Sequence, residues 1–388
     1  MTWRVTKVDE QIRLFIGAWL EKKFYVKDLC KQFGISRPCG YKWINRFIEK
    51  GWAGLLEQSR KPHNSPTATS TEIEEAILEV KYQWPKMGAK KILGHLENKF
   101  KNISWPSKTT VENILKKHGL VEKRKLRKRM AKTIDPLGEP NFSNDIWSMD
   151  FKGWWLTNGG EKYEPFTLMD SHSRFLLCCQ KLHFNDATHV WAIFERLFRE
   201  YGLPLRIRSD NGPPFASLGA GRLTKLSINF IKAGITPEWI DPGEPQQNGR
   251  HERMHLTLKN EGVDSNLNVI DQMRRLDDFI DYYNFDRPHE ALNQKTPGQV
   301  YTPSTRYWNG LLKTPEYTKE YKVVKVHSCG KMSWKGKDVY IGRAFEGELI
   351  GLKLDEETVK AYYGPIFLGS IRDNALEIER RPGRKIKI

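Results

Sequence analysis

The sequence predicts a multidomain α+β protein, with helical modules first, a mixed α/β core next and a small β-barrel last. Three observations carry this expectation. Apolar residues recur at helical spacing from Val8 to Leu120, strands alternate with helices from Asn144 to Asp286, and short β patterns separated by Gly or acidic turns begin near Tyr321. At 388 residues the chain is too long for one ordinary domain. An apolar fraction of 39% with 12% aromatics is enough for packed cores and excludes disorder as the main state. The expected boundaries are 1–57 and 71–121 for two helical modules, 122–141 for a basic linker, 142–300 for the core and 320–375 for the barrel.

In the first module Val26, Leu29, Cys30 and Phe33 fall at i, i+3, i+4 and i+7, giving one apolar face. Gly34-Ile35-Ser36 then reads as a turn with Ser36 as N-cap, and Pro38 is tolerated in the first turn of the next helix. Tyr41, Ile44 and Ile48 are expected to face inward, with Arg37, Lys42 and Arg46 outward. Two short helices around a tight turn, the second basic, form a helix-turn-helix that reads DNA; a structural helical bundle is the alternative. Residues 58–70, QSRKPHNSPTATS, have the composition of a linker. In the second module Ile73, Ile77 and Val80 mark one helix and Ile92 and Leu96 another. Ser107 caps a third helix containing Val111, Ile114 and Leu115. A helix-turn-helix or winged DNA-binding domain is expected here as well.

The formal charge is +17, from 64 Lys and Arg against 47 Asp and Glu. Such an excess favours a polyanion partner, because neutralising phosphates releases counterions. It is concentrated in VEKRKLRKRMAK, where Lys123, Arg124, Lys125, Arg127, Lys128 and Arg129 read as a phosphate-tracking linker, although a solvated charged helix has the same composition. Cys30, Cys39, Cys178, Cys179 and Cys329 contain no CxxC pair, so neither a zinc ribbon nor a disulfide framework is expected. No secretion signal and no run of about 20 apolar residues is present, so a soluble, cytoplasmic protein is expected.

In the core, 146–156, 163–170 and 174–182 read as three consecutive strands, followed by a helix over 186–201 and a short strand over 205–209. Further helices are expected over 223–233, 249–262 and 269–283. The ribonuclease-H-like fold has this order. Three acids stand out in it. Asp150 lies within an apolar strand, WSMDFKGWW, where an ionised carboxylate is costly unless it is paired or binds a cation. Asp210 ends a second strand, and Asn211-Gly212 after it makes a tight turn at a strand's carboxyl end. Glu252 falls in the early turns of a helix. Taken singly each acid is more often structural; on two strands and one helix of one sheet they are a specific pattern. Phosphodiester transfer needs an activated attacking oxygen, a stabilised leaving oxygen and relief of phosphoryl charge. Two Mg²⁺ ions about 3.5–4 Å apart on hard carboxylate ligands supply all three.

The segments WSMDFKGWW, IRSDNGPPF and PGEPQQNGRHERMHLTLKNE resemble the three motifs of an integrase-type catalytic core, and YYNFDRPHEALNQKTPGQVY resembles its closing stretch. The chain thus looks like a bacterial insertion-sequence transposase of the DDE superfamily, related to retroviral integrases, over roughly 144–297. The resemblance implies that Asp150, Asp210 and Glu252 are the catalytic, metal-binding triad. It implies two Mg²⁺ per site, with Mn²⁺ substituting, and Lys259 and Arg250 against DNA. The partners it implies are double-stranded transposon ends and target DNA, engaged by a homodimer or higher multimer with no membrane involved. The chemistry implied is nicking at terminal inverted repeats to leave a 3′-OH, which then attacks a second phosphodiester. A ribonuclease-H-like nuclease and a DNA-binding regulator derived from a transposase are the alternatives. The chain departs from the family in lacking a His-His-Cys-Cys zinc domain. Its Asp210–Glu252 separation is also long, with the surplus expected in 213–223. Glu244, Glu261 and Asp241 are the competing acids. Asp170 reads as a turn cap, His172 and His251 as surface or packing residues, and one of Trp154 and Trp155 as core.

Overall fold

The computed structural model describes residues 8–56, 68–121, 137–241, 244–355, 358–372, 375–380 and 384–387. The chain forms two compact units, Met1–Ala68 and Thr69–Ile388. The six basic residues expected to track phosphates between Lys123 and Arg129 lie outside the described residues, as does most of the 58–70 segment.

In the first unit, α1 (Val8–Leu20), α2 (Val26–Gln32) and α3 (Arg37–Lys50) enclose Ile12, Phe15, Ile16, Leu29, Cys30, Trp43 and Ile44. The Ser36 hydroxyl accepts the Cys39 N–H at 3.4 Å and caps α3. The stripe expected to face inward is rotated: Tyr41 and Ile48 are 52% and 66% exposed, while Trp43 and Ile44 are buried. Gly40 explains the rotation, since a Cβ there would stand 2.5 Å from Cys30 Sγ, so the backbone of α3 approaches closely along the 40–43–44–47 line. Arg37 and Lys42 remain exposed, but Arg46 is half-buried with its guanidinium 5.0 Å from the Trp43 ring centroid. A single-turn helix, Gly51–Leu55, packs back on α3, and a Cβ on Gly54 would fall on the Arg46 carbonyl. Gly54→Ala is therefore expected to destabilise this unit by about 1–3 kcal/mol, read as a lowered melting transition in tryptophan fluorescence of the full chain.

In the second unit, α4 (Thr71–Gln83), α5 (Ala89–Lys99) and α6 (Lys108–Lys117) precede a five-stranded sheet. Its strands are β1 (Ile146–Phe151), β4 (Pro165–Asp170), β5 (Leu176–Lys181), β6 (Arg206–Ser209) and β7 (Thr236–Trp239), in the order β5-β4-β1-β6-β7. The first three are antiparallel, whereas β6 and β7 run parallel to β1. The long first strand expected from the sequence breaks after Phe151, and a separate small hairpin forms from β2 (Trp155–Leu156) and β3 (Lys162–Tyr163). The sequence reading did not include β7. It is four residues long and contains Pro237, which an edge strand tolerates.

Alternation along the strands assigns two faces. Trp147, Met149, Phe166, Leu168 and Ile207 pack with α7 (Ala187–Tyr201) and α8 (Lys225–Lys232). The opposite face carries Ser148, Asp150 and Thr167, beneath α9 (Gly249–Glu261), with α10 (Val269–Asp281) packing on β5. Helices α4–α6 share one apolar cluster with this face, including Met254, Leu258, Phe279 and Tyr283. Trp84 stacks on Tyr282 at 3.8 Å, His95 Nδ1 meets the Asp286 carbonyl at 2.9 Å, and Asn98 donates to the Gln294 carbonyl. The second helical module is thus built onto the core.

The C-terminal region contains β8 (Lys322–Lys325), β9 (Lys331–Trp334), β10 (Lys337–Tyr340), β11 (Leu349–Asp355), β12 (Thr358–Tyr363), β13 (Ile366–Arg372), β14 (Ala375–Arg380) and β15 (Arg384–Lys387). Six of them form an antiparallel sheet, β15-β14-β13-β12-β11-β8, and β9 and β10 form a hairpin. The expected closed barrel is not formed among the described residues. The hairpin lies against β8 through β9 and against β14 through β10, so side chains such as Met332, Trp334 and Val339 fill the space that a closing ladder would bridge. The basic stretch Arg384–Lys387 supplies β15, paired with β14. Surplus chain between Asp210 and Glu252 has a structural use: Ala220 and Leu223 share the apolar cluster of the C-terminal sheet. No helix among the described residues is long and apolar enough to cross a membrane.

Candidate active site

Pairing of β1 with β6 matches Ile146 with Arg206, Trp147 with Ile207 and Ser148 with Arg208. The same offset carried two residues on brings Asp150 level with Asp210, just past the end of β6. In a parallel pair, residues level with each other project to the same face, here the α9 face. Gly212 N–H donates to Asp210 Oδ1 at 3.1 Å, and Asn211 is held by the Ile240 carbonyl at 2.6 Å and by Arg222 at 3.0 Å, which fixes the turn. Glu252 lies in the first turn of α9 and is exposed, and it makes no hydrogen bond or ion pair among the described residues. Two of the competing acids are engaged elsewhere. Glu261 takes a bidentate contact from Arg287 and the Tyr282 hydroxyl, and Asp241 accepts from Gln247.

Burial, and then the charges of Asp210 and Glu252, push the Asp150 carboxyl up to about 7. Like charges facing one another in this way favour a cation. All three donors are carboxylate oxygens, the ligand type that Mg²⁺ and Mn²⁺ prefer. Among the described residues, however, no three His, Cys, Asp or Glu side chains stand close enough to close on one ion.

Beneath the acids lies a polar network that the sequence did not reveal. Thr167 Oγ1 donates to the Asp150 carbonyl at 2.9 Å and meets His251 Nε2 at 2.7 Å and His255 Nε2 at 2.8 Å. A hydroxyl has one proton, so both rings donate through Nε2, which leaves each Nδ1 as an acceptor. His251 Nδ1 lies 3.0 Å from the Ser148 hydroxyl, and His255 Nδ1 faces Asp150 Oδ2 at 3.7 Å. That last contact is not an ion pair, because burial holds the His255 ring neutral and pushes its pKa to about 3, and burial lowers His251 as well. His251 is fully buried, in keeping with its reading as a packing residue. Removing the hub in Thr167→Val leaves two buried ring N–H groups without an acceptor, at about 1–3 kcal/mol each. A fall in melting temperature and slower strand joining are expected, with Thr167→Ser restoring both.

Lys152, just past the end of β1 and two residues from Asp150, is another residue the sequence reading missed. Burial, then the charge of Lys259, lowers its ammonium pKa, so the two lysines share one neighbourhood. Lys259 is exposed, and Glu252, His255 and Lys259 lie at i, i+3 and i+7 on one stripe of α9. Arg250 is engaged within the protein, by the Ser171 carbonyl at 2.9 Å and by Glu139. Asp170 is a buried cap: its carboxylate accepts from Asn144 N–H, Ser173 N–H and the Ser173 hydroxyl. Trp155 stacks on Tyr163 at 5.0 Å, whereas Trp154 is exposed with Lys162 Nζ 4.6 Å from its ring centroid.

Family profiles for an integrase core domain match residues 140–245 and 233–297. A homeodomain-like domain matches 39–115, and the C-terminal domain of IS481 family transposases matches 321–367. The chain is 26% identical over 193 residues to an uncharacterized 31.7 kDa protein of insertion element IS407 from Burkholderia multivorans, covering 49% of this chain and 67% of that protein. It is 24% identical over 256 residues to a 39.2 kDa protein of insertion element IS476 from Xanthomonas euvesicatoria, covering 64% and 69%. Among solved structures, the HTLV-2 integrase catalytic core domain in complex with magnesium matches with a TM-score of 0.32 at 20% identity, over 42% of this chain and 99% of that one.

Proposed function

We propose that this chain, which is an insertion-sequence transposase of the DDE superfamily with an integrase-type catalytic core, uses Asp150, Asp210 and Glu252 to hold two divalent cations and transfer DNA strands. The observation that supports the assignment is the register: carried two residues on, the β1–β6 pairing sets Asp150 level with Asp210, just past the end of β6, and Glu252 lies in the first turn of the helix packed on β1. Bound Mg²⁺ or Mn²⁺ would supply charge relief at the phosphoryl group and at the attacking and leaving oxygens.

The chain's own residues do the rest. Thr167 and the neutral pair His251 and His255 fix the backbone of β1 at Asp150, so its carboxylate keeps one orientation through the reaction. Lys152 and Lys259 place cationic charge beside the acids, where a DNA phosphate is to sit. In the first step the oxygen of water attacks a phosphorus at the transposon end and the 3′-oxygen leaves as a hydroxyl. In the second, that 3′-oxygen attacks a target phosphorus and displaces the target's own 3′-oxygen. Each step is an in-line exchange of one P–O bond for another, so one site serves both without a covalent protein intermediate. Arg37 and Lys42, exposed on α3, are the proposed contacts to the inverted repeat, and Arg46 supports them from its place on Trp43. A dimer or higher multimer brings two ends together.

The test is a gel assay on duplexes carrying the inverted repeats that flank the coding region, with Mg²⁺ or Mn²⁺. Nicked and then joined products are expected. Cleavage confined to RNA–DNA hybrid, or binding without cutting, overturns the reading.

A further inference from the structure

Two adjacent tryptophans follow Asp150, and the fold uses them differently. Gly153, at φ +79°, turns the chain out of β1 and into the β2–β3 hairpin. Pairing sets Trp155 opposite Tyr163 and Leu156 opposite Lys162, so the two pairs project to opposite faces. Trp155 and Tyr163 turn inward and share the apolar cluster that includes Met254 and Leu258 of α9. Leu156 and Lys162 face solvent, and Trp154 joins them there, 55% exposed with Lys162 Nζ 4.6 Å from its ring centroid. Core packing does not account for Trp154, because Trp155 already fills the inward position. The outer face of the hairpin is thus aromatic and cationic.

Backbone hydrogen bonds hold this face in place. Lys152 N–H donates to the Pro165 carbonyl at 3.1 Å, which carries the β1–β4 pairing past Asp150. Asn158 N–H donates to the Leu267 carbonyl at 3.0 Å and ties the hairpin tip to the chain between α9 and α10. An aromatic ring presented from a fixed element loses little freedom on binding. Covalent geometry sets its reach. Trp154 is four residues beyond Asp150, so their Cα atoms are at most about 14 Å apart. At about 3.4 Å of rise per nucleotide, the ring is within about four nucleotides of a phosphate held at the acids.

We propose that Trp154 is a stacking platform for one unpaired base of the DNA strand held at the triad. This rests on the chain acting on DNA as proposed above. Every base has a π-face, so the contact fixes where the strand lies without reading its sequence. Lys162 gives the same face the positive charge that the strand's phosphates favour. A base inside an intact duplex shows its faces only to its neighbours, so the base taken is one beside a nick or splayed out of the stack.

The experiment measures, in EDTA, the affinity of wild type, Trp154→Leu and Trp154→Phe for a duplex that ends in the inverted repeat and is nicked at its terminus. Each of the four nucleotides on either side of the nick is then made abasic in turn. Trp154→Leu keeps an apolar side chain at a half-exposed position, so it is expected to melt as wild type does. Its affinity is expected to fall roughly tenfold, and Trp154→Phe to recover most of the loss. At one abasic position wild type is expected to fall to the level of Trp154→Leu, while that variant loses nothing further there. Equal affinity of wild type and Trp154→Leu for the complete duplex overturns the platform. So does a Trp154→Leu deficit that persists at every abasic position, since the ring then supports the hairpin and not a base. If wild type shows the base dependence but joins no strands with Mg²⁺ or Mn²⁺, the catalytic reading fails and the platform stands.

Discussion

Asp210→Asn is expected to leave the protein folded and bound to DNA while lowering both nicking and joining by at least about a thousandfold, equivalent to some 4 kcal/mol of transition-state stabilisation. The substitution keeps the shape of the side chain, and the Asn carboxamide oxygen still accepts the Gly212 N–H at the turn. What it removes is one of two neighbouring negative oxygen sites, that of Asp210 just past the end of β6, beside Asp150 on β1. A neutral amide is a poor ligand for a hard dication, and the phosphoryl charge that builds up in each in-line step is then unrelieved. Both steps fail together because both use the same site. Single-turnover rates on a pre-nicked and an intact end check this. A variant that still joins a pre-nicked end at the wild-type rate contradicts it.

Asp150→Asn is expected to act on stability in the direction opposite to activity. In the folded, metal-free protein Asp150 has a pKa of about 7, raised by burial, Asp210 and Glu252, against about 3.9 for an unfolded aspartate. A raised folded-state pKa contributes stability that is fully present below the unfolded value and is lost as pH rises through the folded one. At about pH 8 the wild type has lost that contribution, whereas an asparagine cannot ionise and loses nothing. Without divalent metal, Asp150→Asn is therefore expected to melt roughly 2–5 °C above wild type at about pH 8, with the gap closing toward pH 5. Adding Mg²⁺ or Mn²⁺ reverses the order. The cation binds the folded wild type and stabilises it by mass action, about 2.7 kcal/mol at a hundredfold excess over Kd, and the variant gains little. Thermal melts at two pH values, with and without metal, check both signs. Equal melting of the two proteins at pH 8, or equal stabilisation by metal, contradicts the electrostatic picture of the site.

The caps at Ser36 and Ser107 and the β-β-β-α-β order of the core were legible from local signals, because each is encoded within a few residues. The parts that were hidden depend on distant partners. The sequence left His251 between a surface and a packing role and gave no signal for His255; their burial is settled by Ser148 and Thr167, 84 to 103 positions earlier. Lys152 looked like an ordinary flank of an apolar strand until α9 brought Lys259 beside it. The strand at Thr236–Trp239 carries a proline and pairs only at an edge, so neither period nor propensity marks it. In α3, two apolar stripes competed, and the absence of a side chain at Gly40 decided which one turned inward. The alternating pattern of the C-terminal strands is the same for an open sheet as for a barrel, and only the hairpin of β9 and β10, lying against β8 and β14, distinguishes them.

The most direct measurement is anomalous diffraction from crystals soaked in Mn²⁺. Two manganese peaks between the carboxylates of Asp150, Asp210 and Glu252, with Glu252 drawn in from its exposed position, are the expected result. Those three carboxyl groups remaining apart with no peak among them, in crystals that show manganese elsewhere, would contradict it.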